Sequence, residues 1–194
     1  SGQAGWGTAI YLTLYMTIIP FFIGGILGFI AGLLLVLTGP RGILENRLVF
    51  FVLDKVTSIF RAIPFIILLA LINPFTRIIV GTGIGPTAAL VPLSLAVFPF
   101  FARQVQVVLS ELDRGVIEAA QASGATFWDI VGVYLREGLP DLIRVTTVTL
   151  ISLVGETAMA GAIGAGGLGN VALTYGYQRF NHDVTILATI LILL

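Results

Sequence analysis

From Thr8 to Leu37 nearly every position is apolar, and no charged residue occurs between Ser1 and Pro40. A bilayer core of about 30 Å needs roughly 20 mostly apolar helical residues. The run therefore predicts a first span over about 8–37, long enough to tilt, with Pro20 as a kink. Thr38-Gly39-Pro40 ends it. A second span is expected over about 48–73. Its uncharged stretch, Ala62 to Thr76, is short, which puts Asp54, Lys55 and Arg61 in its first turns near the polar boundary. A third is expected over about 84–108, uncharged from Ile84 to Ala102, and a fourth over about 142–163 with one acid, Glu156. The fifth, over 183–194, has eleven residues after Asp183, about 16 Å of helix and half a crossing. The natural protein is expected to continue beyond Leu194.

Between the third and fourth spans the pattern changes. Gln104 to Asp141 holds Glu111, Asp113, Arg114, Glu118, Asp129, Arg136, Glu137 and Asp141, eight of the twenty charges of the chain. A water-facing loop over about 109–141 is expected, and Leu112, Val116 and Ala119/Ala120 recur near helical spacing within it.

Composition excludes a soluble fold. Of 194 residues 57% are hydrophobic and 10% charged, against roughly 25% charged in a soluble domain. So much apolar surface does not fit in one core of this size. The expected fold class is all-α, a polytopic membrane bundle of five transmembrane helices in a single domain over 1–194. The first apolar run is too long for a cleavable signal peptide and lacks its basic start. A net charge of zero gives no sign of a nucleic-acid partner, and the absence of cysteine excludes disulfides and cysteine–zinc sites.

Basic residues set the orientation, because cytoplasmic loops are enriched in them. Arg41, Arg47, Lys55, Arg61, Arg103, Arg114, Arg136 and Arg144 fall on the side of the long loop, and only Arg77 and Arg179 on the other. The loop is expected in the cytoplasm and the amino terminus outside.

Within the loop stands Glu118-Ala119-Ala120-Gln121-Ala122-Ser123-Gly124-Ala125. Two adjacent alanines let another protein approach the helix backbone, and a glycine four residues later permits a sharp turn. A plain small-residue helix with a glycine stop fits the same letters. The stretch resembles the Glu-Ala-Ala-x-x-x-Gly loop of permease subunits of bacterial ABC importers. Arg61-Ala62-Ile63-Pro64-Phe65, Pro74-Phe75-Thr76-Arg77-Ile78-Ile79-Val80-Gly81-Thr82, Gly164-Ala165-Gly166-Gly167-Leu168-Gly169 and Tyr175-Gly176-Tyr177 look like the methionine-uptake permeases of that class. The likeness extends from span one to the start of span five. It implies a type I importer permease with five helices, working as a homodimer, with Glu118, Ala119, Ala120 and Gly124 on a cytoplasmic coupling helix that docks on an ATPase subunit. The family loop usually continues to Ile-x-Leu-Pro, its proline thirteen residues after the glycine; here Glu137 stands there and Leu139-Pro140 follows.

An acid within a span costs about 2.5–3.5 kcal/mol on insertion scales and normally faces the bundle interior or water. Glu156 reads either as a polar contact on a translocation pathway, for instance to a substrate ammonium, or as a structural hydrogen-bonding acid between helices. Close relatives often carry tyrosine there. Met159, among Ala158, Ala160, Gly161, Ala162 and Gly164, reads either as a hydrophobic gate formed with its symmetry mate or as ordinary packing. Gly164, Gly166 and Gly169 match G-x-G-x-x-G, but after a membrane helix rather than a strand, so a turn is expected there and no nucleotide site. His182 with Asn181 and Asp183 reads as an interfacial cap of the last helix.

No G-x-x-x-x-G-K-[ST] loop occurs. The expectation is therefore a transport subunit, not an enzyme, with no cofactor of its own and with ATP and magnesium on a partner. The resemblance implies these partners: a second copy, two ATP-binding cassette subunits, an external substrate-binding lipoprotein, an amino acid, most simply methionine, and lipid. It also implies a bacterial cell membrane as the location. The alternative is a self-sufficient ion-coupled transporter or channel using Glu156.

Overall fold

The computed structural model describes residues 2–161 and 182–193, and all regular structure among them is helical. The elements are α1 (Gly2–Thr38), α2 (Arg47–Ala62), α3 (Phe65–Val80), α4 (Pro86–Ser110), α5 (Arg114–Ala122), α6 (Phe127–Ala160) and α7 (His182–Leu193). Three stretches, Gly5–Thr38, Pro86–Ser110 and Phe127–Ala160, are each long and apolar enough to cross a membrane. α2 and α3 pass the same test only as a pair, bent by 113° at the break between them. The fifth expected span is represented by the twelve residues of α7.

The span expected over 48–73 is thus two helices. Pro64 has no N–H to donate and its ring keeps the preceding residue out of the helical region. Ile63 accordingly lies at φ −77°, ψ 121° and Pro64 at φ −57°, ψ 141°. Asn46 starts α2 by accepting from the Leu48 and Val49 amides at 3.1 Å. Gly81, at φ 88°, ends α3 by donating its amide to the Arg77 carbonyl. The fourth span also differs from expectation. Its helix begins at Phe127, inside the loop predicted over 109–141, and runs through Pro140 without interruption. The Leu139-Pro140 departure from the family loop therefore falls inside a helix.

α1 and α4 form the central pair. Gly24, Gly28 and Gly32 line one side of α1 so closely against α4 that added methyl groups would meet Ser94 O at 2.8 Å, Phe98 O at 2.7 Å and Ala102 O at 2.6 Å. Small residues at this spacing let two helix backbones approach, which supplies dispersion contacts in a medium without a hydrophobic drive between helices. α6 closes the bundle on this pair. One cluster at the α5 end joins Leu37, Val105, Leu109, Ile117, Ile130 and Val145; a second, farther along, joins Met16, Leu93, Val97 and Leu153, with Phe65 of α3 against it. Buried threonines pay no polar penalty of desolvation where their hydroxyls donate one turn back, as Thr17 does to Thr13 O and Thr149 to Val145 O. The outer surface carries exposed Tyr11, Phe22, Ile26 and Ile78, which suits lipid rather than water.

Candidate coupling site and translocation face

The predicted coupling residues come together on one short, tightly terminated helix. Asp113 caps α5 by accepting from the Gly115 amide at 2.9 Å. Ile117 is buried and anchors the helix to the cluster beneath, leaving Glu118, Ala119, Gln121 and Ala122 exposed and Ala120 half-buried. The other end closes with two crossed bonds: the Ala125 amide reaches Ala120 O and the Gly124 amide reaches Gln121 O, both at 3.1 Å. This is the Schellman arrangement, which needs a left-handed residue at Gly124, and Gly124 sits at φ 81°. Glycine is required there by conformation, since a side chain in that region costs about 1–2 kcal/mol.

The chain then turns directly into α6. Thr126 Oγ1 accepts from the Asp129 amide at 3.3 Å, and Asp129 Oδ2 accepts from the Thr126 amide at 2.9 Å, a reciprocal capping box. Asp129 lies outside the apolar stretch that begins near Leu142. The Thr126 backbone amide, and secondarily its hydroxyl, hold the carboxyl below its ordinary value. At the other end of α5, Arg114 Nη2 donates to Arg41 O at 2.8 Å, tying the helix to the turn after α1. Exposed Trp128 meets Phe127 edge to ring at 5.1 Å. The site is thus a small-residue ridge, capped at both ends, with an aromatic neighbour.

Glu156 and Met159 lie far from this ridge, on the last turns of α6, about 40 Å of helix rise beyond Asp129. Glu156 is half-buried and Met159 is exposed. Met159 continues a stripe of Ile151 and Gly155 at four-residue spacing, all three exposed among the described residues. The glycines Gly164, Gly166 and Gly169, and Asn181, lie outside the described residues, as do the side chains of His182 and Asp183 that the capping reading invokes.

Residues 24–194 match the family model described as "Binding-protein-dependent transport system inner membrane component". The chain is 49% identical over 189 residues to the "Probable D-methionine transport system permease protein MetI" of Pasteurella multocida, covering 97% of this chain and 87% of that one. It is 50% identical over 187 residues to the "Methionine import system permease protein MetP" of Bacillus subtilis, covering 96% and 84%. A chain from a structure of "Inward facing conformations of the MetNI methionine ABC transporter" superposes with a TM-score of 0.94 at 44% identity, over 98% of this chain and 89% of that one. This chain belongs to that family of binding-protein-dependent permeases.

One feature of this permease escaped the sequence. Arg103 of α4 pairs with Asp54 of α2 at 2.8 Å. It also donates to Ser58 Oγ at 2.8 Å and to Gln106 Oε1 at 2.5 Å. The network pins α2 to the helix that leads into α5. Asp54 and Arg103 are 49 residues apart, so only their shared setting, opposite charges inside apolar stretches, hinted at a pairing. The sequence placed Asp54 in the first turns of its span, near the polar boundary, and named no partner for it.

Proposed function

We propose that this permease is the membrane-spanning subunit of a methionine importer, and that α5 is the element through which an ATPase moves it. Two copies would enclose a central path, each resting on one of two ATP-binding cassette subunits. An external binding protein would deliver substrate to the far face. The excess of basic residues on the α5 side supports a cytoplasmic α5 and an amino terminus outside. ATP and magnesium would sit on the cassette subunits. Nucleotide binding would draw the two α5 helices together, and α4, fixed to α2 through Arg103, would carry that movement into the spans. Hydrolysis would reset them.

The observation that carries this reading is α5 itself: Ala119 faces outward on a helix fixed at both ends, with Ile117 locked inward. A self-sufficient ion-coupled transporter has no use for such a ridge, and the family match favours the importer. The Ile151–Gly155–Met159 stripe, exposed among the described residues, supports Met159 as a gate residue against its symmetry mate, with Glu156 beside it as a pathway contact. Co-purification tests the core of the proposal. A stable ATPase partner that is lost on Ala119→Arg supports it; uptake by this chain alone in liposomes, driven by an ion gradient, overturns it. Comparing radiolabelled amino acids for uptake and for stimulation of ATP hydrolysis in the assembled complex tests methionine as the substrate.

A further inference from the structure

α2 runs alongside α4 in the opposite direction. Phe50 lines a cavity with Gln106 and Leu109 at the α5 end, Asp54 meets Arg103 one to two turns farther in, and Phe65, just past the break, packs on the cluster of Leu93 and Val97. Arg61 lies seven residues beyond Asp54, about 10 Å of helix rise, which places it level with the middle of α4. α4 has 25 residues, about 37 Å of rise and somewhat more than a bilayer core. Arg61 therefore sits near mid-membrane, two residues before the break at Ile63-Pro64.

An arginine at that depth faces water or a polar partner, not hydrocarbon. Arg61 is exposed. It extends a polar stripe of Asp54 and Ser58 at i, i+4 and i+7, a repeat that keeps all three on one helix face. Arg103 engages the first two; the guanidinium of Arg61 is the next group along the stripe, beyond the reach of that network. Irregular backbone at membrane depth, such as Ile63-Pro64, is tolerated where it lines a water-filled cavity. A guanidinium fork matches a carboxylate in two parallel hydrogen bonds.

We propose that Arg61 faces the translocation path at mid-membrane and receives the carboxylate of the transported amino acid. The substrate class rests on the importer reading above; the exposure of Arg61 to the path does not.

Two measurements on the complex assembled with its ATPase and binding-protein partners test this. The chain has no cysteine, so Arg61→Cys introduces its sole thiol. A membrane-impermeant trimethylammonium methanethiosulfonate, followed by intact mass of this chain, is expected to modify Arg61→Cys at least about tenfold faster than Ile59→Cys on the apolar face. Equal, slow rates place residue 61 in lipid and overturn the proposal. In the second measurement Arg61→Gln is expected to lower amino-acid uptake per ATP hydrolysed by about tenfold, the scale of losing a charge-assisted hydrogen bond. Arg61→Lys should retain most of it, with both variants assembling and melting like the parent. Equal uptake by the Gln and Lys variants overturns the role. So does a Gln variant that melts early yet transports normally per complex, because Arg61 then only caps α2. If the parent complex ignores methionine, the substrate reading fails. The labelling result still stands, and the uptake comparison is run with whichever amino acid stimulates ATP hydrolysis.

Discussion

The α1–α4 seam makes a prediction whose sign differs between neighbouring glycines. A methyl group added at Gly28 would lie 2.7 Å from Phe98 O, 3.2 Å from Ala102 N and 3.2 Å from Phe101 Cβ. Two of these neighbours are backbone, which cannot swing aside, so the helices must part by about 0.7 Å to reach ordinary contact at 3.4 Å. Overpacking of this kind costs about 1–3 kcal/mol. Gly25, three residues earlier on the same helix, has nothing within 4 Å of the same position. There alanine removes the entropy penalty of a helical glycine, a gain of about 0.5–1 kcal/mol. Thermal unfolding of the detergent-solubilised permease reads both. At about 2–4 °C per kcal/mol for a chain of this size, Gly28→Ala should lower Tm by roughly 2–12 °C while Gly25→Ala leaves it level or raises it slightly. Gly32→Ala, with Ala102 O at 2.6 Å, should follow Gly28→Ala. If Gly28→Ala is no less stable than Gly25→Ala, close backbone approach does not hold this seam.

Further outcomes follow from the structure. Gly124→Val forces a branched side chain into φ 81° and should cost about 1–2 kcal/mol locally, seen as weakened ATPase co-purification at nearly unchanged span stability. Arg103→Gln leaves Asp54 without its ion pair; the side chains are 18% and 28% exposed, so water softens the loss to about 1–3 kcal/mol, and ATP hydrolysis should become less tightly coupled to uptake. Glu156→Gln keeps size and hydrogen bonding while removing charge, so unchanged uptake would eliminate a charge-based role, whereas Met159→Ala should cause leak if the gate proposal holds. The capping box should respond to acid. Asp129 titrates lower in the folded chain than unfolded, so its contribution is complete above its unfolded value and disappears as pH falls through the folded one. Protection of the Thr126 amide against exchange, relative to its intrinsic rate, should fall below about pH 4, and Asp129→Asn should abolish that step.

The sequence by itself determined the class of solvent, the number and rough position of the apolar runs, and the small-residue motif that ends in Gly124. Each depends on properties local to a few turns. A run of about twenty apolar residues satisfies its backbone in lipid as a helix, and two alanines with a glycine four residues later favour a small, abruptly ended ridge. Gly24, Gly28 and Gly32 recur at four-residue spacing, but that they form a close seam against α4 came from the structure. What required the tertiary structure was every relation between distant segments. Pro64 stands at a break, whereas Pro20, Pro74 and Pro140 sit inside helices, so a proline alone did not mark the place where a span breaks by 113°. The start of α6 fifteen residues before the fourth span was hidden because Phe127 to Asp141 is polar enough to read as loop, while the reciprocal cap of Thr126 and Asp129 makes it helix. Arg103 and Asp54 looked like two boundary charges; only the antiparallel course of α2 and α4 makes them one network.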